Sequence, residues 1–310
     1  MIDPLPTSKY AADAQDVSFS SQESVDVEIT LNGVAMLSEH YSPDAEGRIR
    51  LRGLADLFST ALYGELTLGA QAHATGDFVI NVGDSQEWQK TVYSLLLRNP
   101  HDPDGQKTVM AVARETVCYP GTPLPLTFTT LVEVALKDQA GNTLGTVQKG
   151  SRYGVVTDDC DPQVLFPDLW QQGALMTVGN EMTVRLLPPR CRDSVVVMFL
   201  NRYDMPETVV AEYMEEKPSA EDSASLMDGR RTRFGVRNTT EYTLHSGRLH
   251  YDDQQDTWHD LLTARKARVL TDGRWTDIIV TKGNWTRRRR THYGTEMQLS
   301  FQTASPMEVI

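Results

Sequence analysis

Short apolar–polar alternations, recurring about every ten residues and cut by turn residues, constrain this chain more than anything else in it. Val25, Val27, Ile29 and Leu31 fall on one side of an extended backbone, and Asp26, Glu28 and Thr30 on the other. That is the pattern of a half-buried strand. Asn32-Gly33 then supplies the residue pair of a tight hairpin turn, and 34–39 returns as its partner. The turn residues Ser42-Pro43-Asp44-Ala45-Glu46-Gly47 lead into Arg48-Ile49-Arg50-Leu51-Arg52, which alternates again. Further strands are predicted over 65–73, 76–82, 90–98, 108–116, 126–136 and 143–149. Leu54, Leu57, Phe58, Ala61 and Leu62 fall at helical spacing instead, predicting a helix near 53–63.

The second half repeats the theme. Met182, Val184 and Leu186 alternate, 195–200 is an apolar run, and 209–214, 232–238, 240–246, 267–271, 275–282, 283–290 and 295–303 read as strands. A short helix places Trp258, Leu261 and Leu262 on one side, as core packing requires. The fold class that follows is all-β, mainly antiparallel, with one or two short helices, in two β-sandwich or barrel-like units. Residues 1–22, rich in Pro, Ser, Asp and Ala, read as an N-terminal arm, and 23–150 as the first β-domain. An irregular connection fills 151–175, and 176–310 forms a second β-domain. Within it 215–228, acidic, small and broken by Pro218, reads as an exposed loop.

Composition narrows the function. With 40% hydrophobic and 23% charged residues, the 310-residue chain has the make-up of an ordinary folded protein. Its net charge of -12, from 42 acidic and 30 basic residues, argues against a nucleic-acid partner. No apolar run approaches the roughly 18 residues of a membrane-spanning helix, and the first residues lack the pattern of a secretory signal. Three widely spaced cysteines, Cys118, Cys160 and Cys191, fit buried thiols in a reducing compartment better than a disulfide framework. Synthesis in a cytoplasm without export is the expectation.

Asp158, Asp159 and Asp161 around Cys160 lack the length and distal Glu of a helix–loop–helix calcium site, and read as an acidic turn before Pro162. Asp102-Pro103-Asp104-Gly105 reads as a turn in the same way. The seven histidines show no metal-ligand spacing, and there is no nucleophile elbow, phosphate-cradling loop or Cys-x-x-Cys. No enzyme, cofactor or metal site is therefore predicted. The sharpest charge feature is Arg287, Arg288, Arg289 and Arg290. On a strand, two of these face each way, which suits pairing with carboxylates of a neighbouring subunit. Glu215, Glu216, Glu221 and Asp222 are the candidate carboxylates for such an interface.

The last third of the chain resembles the C-terminal part of minor tail and baseplate-type proteins of phages and prophages of Bacteroides-like bacteria. The stretches that carry the resemblance run from 199 to 275. They are Phe199-Leu200-Asn201-Arg202-Tyr203-Asp204-Met205-Pro206-Glu207-Thr208, Glu241-Tyr242-Thr243-Leu244-His245-Ser246-Gly247-Arg248-Leu249, Trp258-His259-Asp260-Leu261-Leu262 and Val269-Leu270-Thr271-Asp272-Gly273-Arg274-Trp275. They are packing and turn motifs, and the resemblance as a whole covers about 110 residues. The resemblance implies a virion structural protein of a tail, connector or baseplate, assembled in a host cytoplasm from several copies and other virion proteins. A carbohydrate-binding or adhesion β-sandwich is the competing class. It draws on the five tryptophans, and only under it is sugar a partner.

Overall fold

The computed structural model describes residues 10–83, 86–87, 91–94, 107–188, 193–227, 230–249, 251–284 and 296–304. At 86–87, 91–94, 220–227, 230–239 and 284 only the backbone is considered.

The Asn32-Gly33 hairpin forms as its residues dictate, with Val25–Leu31 pairing antiparallel to Val34–Tyr41. Asn32 and Gly33 both sit at positive φ, as the turn requires. Thr75–Val82 pairs on the other side of Val25–Leu31, and Gln86–Glu87 and Thr91–Ser94 add to it. Helix α1 (Leu54–Ala61) closes this sheet, stacking Phe58 on Phe78 at 4.0 Å between ring centroids. The predicted N-terminal arm is corrected here for residues 10–20. Tyr10 and Ala11 are buried, and Val17–Ser20 pairs with Arg48–Leu51, sinking Val17 and Phe19 into the same core. The alternation of Val17 and Phe19 among serines is brief, and the surrounding composition masks it. Residues 1–9 lie outside the described residues.

A second apolar cluster sits under a five-stranded sheet in the order Thr143–Lys149, Val132–Lys137, Leu175–Val178, Met182–Leu186, Glu115–Cys118. Only the last pairing is parallel among those described in this sheet. The sheet draws strands from both sides of residues 151–175. That segment itself contains Val156–Asp159, paired with Pro125–Phe128, and helix α2 (Pro162–Leu165). The single strand predicted over 126–136 is two strands in separate sheets, and the one over 65–73 shrinks to Gly69–Ala70. Cys118 and Cys160 are buried and unbridged. Burial is the main cause that pushes the Cys160 thiol up to about 12 and the Cys118 thiol higher still. Both stay protonated and inert. Cys191 lies outside the described residues.

The third cluster fills a curled seven-stranded sheet, in the order Pro206–Ala211, Val195–Leu200, Ala267–Thr271, Arg274–Asn284, Gln298–Thr303, Arg230–His245, Tyr213–Met227. Its two edge strands follow each other in the chain, joined by Glu212 alone. One residue spans only about 3.5 Å, so the sheet curls until its edges meet at that corner. Helix α3 (Asp253–Thr263) packs into the curl with Trp258 and Leu261, as its spacing predicts. The whole is mostly antiparallel β, with α1, α2 and α3 where one or two helices are predicted.

The exposed loop predicted at 215–228 is the main correction. Tyr213–Met227 is a strand, paired with Arg230–His245 along a long hairpin whose register shifts once, between Glu221 and Ser223. Among the described residues, only Tyr242–His245 continues into the sheet, against Gln298–Phe301. The rest runs out as a two-stranded arm of roughly 40 Å, at about 3.4 Å per residue. Pro218 is tolerated because its strand is a sheet edge. The two strands predicted over 232–238 and 240–246 are one.

Candidate functional site: a buried polar junction beside the arm

The loop 201–205 connects two paired strands of the curled sheet, and its Tyr203 and Met205 side chains enter the first cluster. Asn201 is 4% exposed and organises the turn. Its Oδ1 accepts from the backbone N–H groups of Tyr203 (2.9 Å) and Met205 (3.2 Å). Its Nδ2 donates to the Met110 carbonyl (2.8 Å) and to the Glu207 carboxylate (2.7 Å). The turn drives Tyr203 and Met205 into the first cluster.

Asp204 stands at φ 60°, a left-handed conformation that aspartate tolerates better than most residues. Its buried carboxylate accepts from Gly64 N (2.8 Å) and from Nε (2.9 Å) and Nη2 of Arg265. Gly64 is required: a Cβ there would fall on the Asp204 carbonyl oxygen. Arg202 forks onto Asp260 of α3, with its Nη2 2.7 Å from the carboxylate and its backbone N–H 2.8 Å away. Thr208 Oγ1 donates to the Pro123 carbonyl (3.0 Å), joining the second cluster's side.

Glu207 lies at the centre. Its carboxyl accepts from Asn201 and from Val112 N (3.1 Å), and burial raises its pKa to about 7 against the opposing pull of these bonds and of Lys107. Lys107 donates to the Ala111 carbonyl (2.6 Å) and the Tyr203 hydroxyl (3.0 Å), and burial lowers its pKa. A groove of about 730 Å³ opens beside them, lined among others by Lys107, Arg114, Glu181, Arg202, Tyr203 and Asp253. Its charged groups are largely committed. Glu181 accepts from Thr108 N (2.9 Å) and Thr108 Oγ1, and Asp253 from Arg114 N (3.0 Å). A general acid or base must direct its proton or lone pair at a substrate. These groups are turned on the fold itself, and the arrangement fastens three clusters together.

Neither this junction nor the arm was predicted, although the loop was singled out as a motif. Of the predicted interface residues, Arg287, Arg288, Arg289 and Arg290 lie outside the described residues. Glu215 and Glu216 are exposed near the arm's root, with Glu215 3.8 Å from Lys217. Glu221 and Asp222 fall on the same strand, and Glu221 is in register with Arg237. The aspartates around Cys160 do not form one turn: Asp158 and Asp159 end the strand Val156–Asp159, where they accept from Gly150 N and Leu124 N, and Asp161 caps α2 through Gln163 N. The Asp102–Gly105 turn lies outside the described residues. Trp258 is core, whereas Trp275 is 38% exposed. Among the described residues no helix is long and apolar enough to cross a membrane.

No family model and no curated protein matches the chain. Two solved structures show a loose likeness. One is described as "Virion of native gene transfer agent (GTA) particle", with 13% identity, a TM-score of 0.26, and coverage of 37% of this chain and 93% of that one. The other is "Tail of empty GTA particle computed with helical refinement, C6 symmetry", at 13% identity, TM-score 0.26, and coverage of 38% and 96%. At that score the likeness carries no argument about function.

Proposed function

We propose that this chain is a non-enzymatic structural component of a virus-like particle, of tail, connector or baseplate type, which works in several copies through protein–protein contacts. The arm carries this reading. A two-stranded ribbon with no third strand is marginal in water, and its open edges invite another chain. Among the described residues such a ribbon stands here on a body fastened by the junction, a sound arrangement for reaching a neighbour. The reading agrees with the sequence resemblance of the last third. The acidic 215–222 segment of one copy is the natural partner of Arg287–Arg290 on the next, and contact between unlike surfaces builds rings or filaments.

Light scattering over a concentration range tests this. The full chain is expected to form a defined oligomer. A variant in which Lys217 is joined to Glu241 through Asn-Gly, removing 218–240, is expected to stay monomeric. A strictly monomeric full chain, or an arm-less variant that assembles equally well, overturns the arm's role. Reversing the charge of Arg288 and Arg289 to Glu is expected to weaken association at least tenfold while leaving the circular dichroism unchanged. Unimpaired association would remove these arginines from the interface.

A further inference from the structure

The arm joins the sheet at a histidine. Tyr213 and His245 face each other across the hairpin, and Gln298 of the neighbouring strand lies opposite His245 on the other side. The His245 side chain is 7% exposed and stacks on the Tyr213 ring at 4.2 Å between centroids and 12° between planes. Its Nδ1 is 3.1 Å from the Glu296 carboxylate. Its Nε2 is 3.5 Å from the Glu215 carboxylate and makes no hydrogen bond. The imidazole thus lies between carboxylates of two segments far apart in the chain.

The other ionisable groups at this root, among the described residues, are few. Glu212 sits at the corner, its carboxylate where a Cβ on Gly247 would fall. Lys217 lies 3.8 Å from the second oxygen of Glu215. The Tyr213 hydroxyl is held above its usual range, first by desolvation and then by Glu296, Glu215 and Glu212. Two carboxylates therefore flank the imidazole, with a third at the corner and Lys217 beside Glu215.

A neutral imidazole carries one N–H, so it serves one carboxylate and turns a lone pair toward the other; an imidazolium donates to both. We propose that His245 is a proton-operated clasp on the arm. With the proton bound, it ties Glu215 on the arm's outer strand to Glu296 ahead of the strand Gln298–Thr303, and the root is held on both sides. Without it, one tie is lost and the root opens more often. Histidine changes charge between pH 5 and 8, so the arm's attachment responds to modest acidification. The clasp operates in the isolated chain, whether or not the arm joins copies.

Amide hydrogen exchange by mass spectrometry on the full chain tests it, with rates corrected for the intrinsic effect of pH. Protection of 213–216 and 242–245 is expected to fall on the order of tenfold more between pH 5.5 and 7.5 in the wild type than in His245→Gln. Glu296→Gln keeps the imidazole and removes one charged acceptor, and is expected to show about half that pH response. His40→Gln, at a histidine beside Asp26 on another sheet, is expected to leave it intact. A flat wild-type profile, or an equal pH response in His245→Gln and Glu296→Gln, overturns the proposal. If His245→Gln fails to fold, Glu296→Gln decides: an undiminished response sinks the clasp.

Discussion

Glu207 is a carboxyl placed where its charged form is costly, since burial outweighs the two donors that face it. Its folded pKa of about 7 lies above its ordinary value of 4.5, so the native state holds this proton more tightly than the unfolded chain does. The stability it contributes is full below pH 4.5 and is lost as pH rises through about 7. Between pH 5 and 8 the wild type is expected to lose about 2–3 kcal/mol relative to Glu207→Gln, whose amide does not titrate. Urea unfolding at both pH values measures this, and parallel pH profiles would refute it. The sequence marks the Asn201–Thr208 stretch as a turn between strands, and the turn is there. It does not mark Glu207 as buried, because the N–H that meets it belongs to Val112, 95 residues away.

At the scale of elements, strands that bury one face were legible, and those that bury none were not. Val25–Leu31 and Met182–Leu186 alternate because one side meets a core. Glu215 through Ser219 are exposed along both sides of their strand, so no alternation is written into them. With Pro218 among them, these residues read as a loop. The same lack of burial predicts what removal does. Among the residues whose side chains are described, excising 218–240 takes away backbone pairing but no member of the three large apolar clusters. The midpoint of thermal unfolding is therefore expected to move by no more than about 2 °C. A large drop would mean that the arm packs on its own body.

At the scale of the whole molecule, one loop ties the third cluster to the first. Asn201 bonds to Met110 and to Glu207, and its turn delivers Tyr203 and Met205 to the first cluster. Asn201→Ala strands those partners in the interior and is expected to cost about 2–3 kcal/mol. In calorimetry it should split one cooperative transition into two, and an unaltered single transition would show that the clusters are coupled elsewhere. The all-β class was legible from local patterns. Grouping the strands was not, because Thr143–Lys149 and Met182–Leu186 share a sheet across an irregular stretch, and residue patterns do not record which distant strands pair.

The curled sheet also has a consequence in time. Gln298–Thr303, the last described strand, lies between Arg274–Asn284 and Arg230–His245 and is the only bridge between the two halves of the sheet's hydrogen-bond ladder. During synthesis every earlier strand emerges before it. Until it arrives, Leu244 on one side and Ile278 on the other have no common wall to close on. The arm is made before its foundation is complete, so a nascent chain presents its reaching ribbon before its body has set. Slow closure of so distant a pairing is expected on topological grounds, and it makes the arrival of this strand the moment when this molecule commits either to its own fold or to a neighbour's.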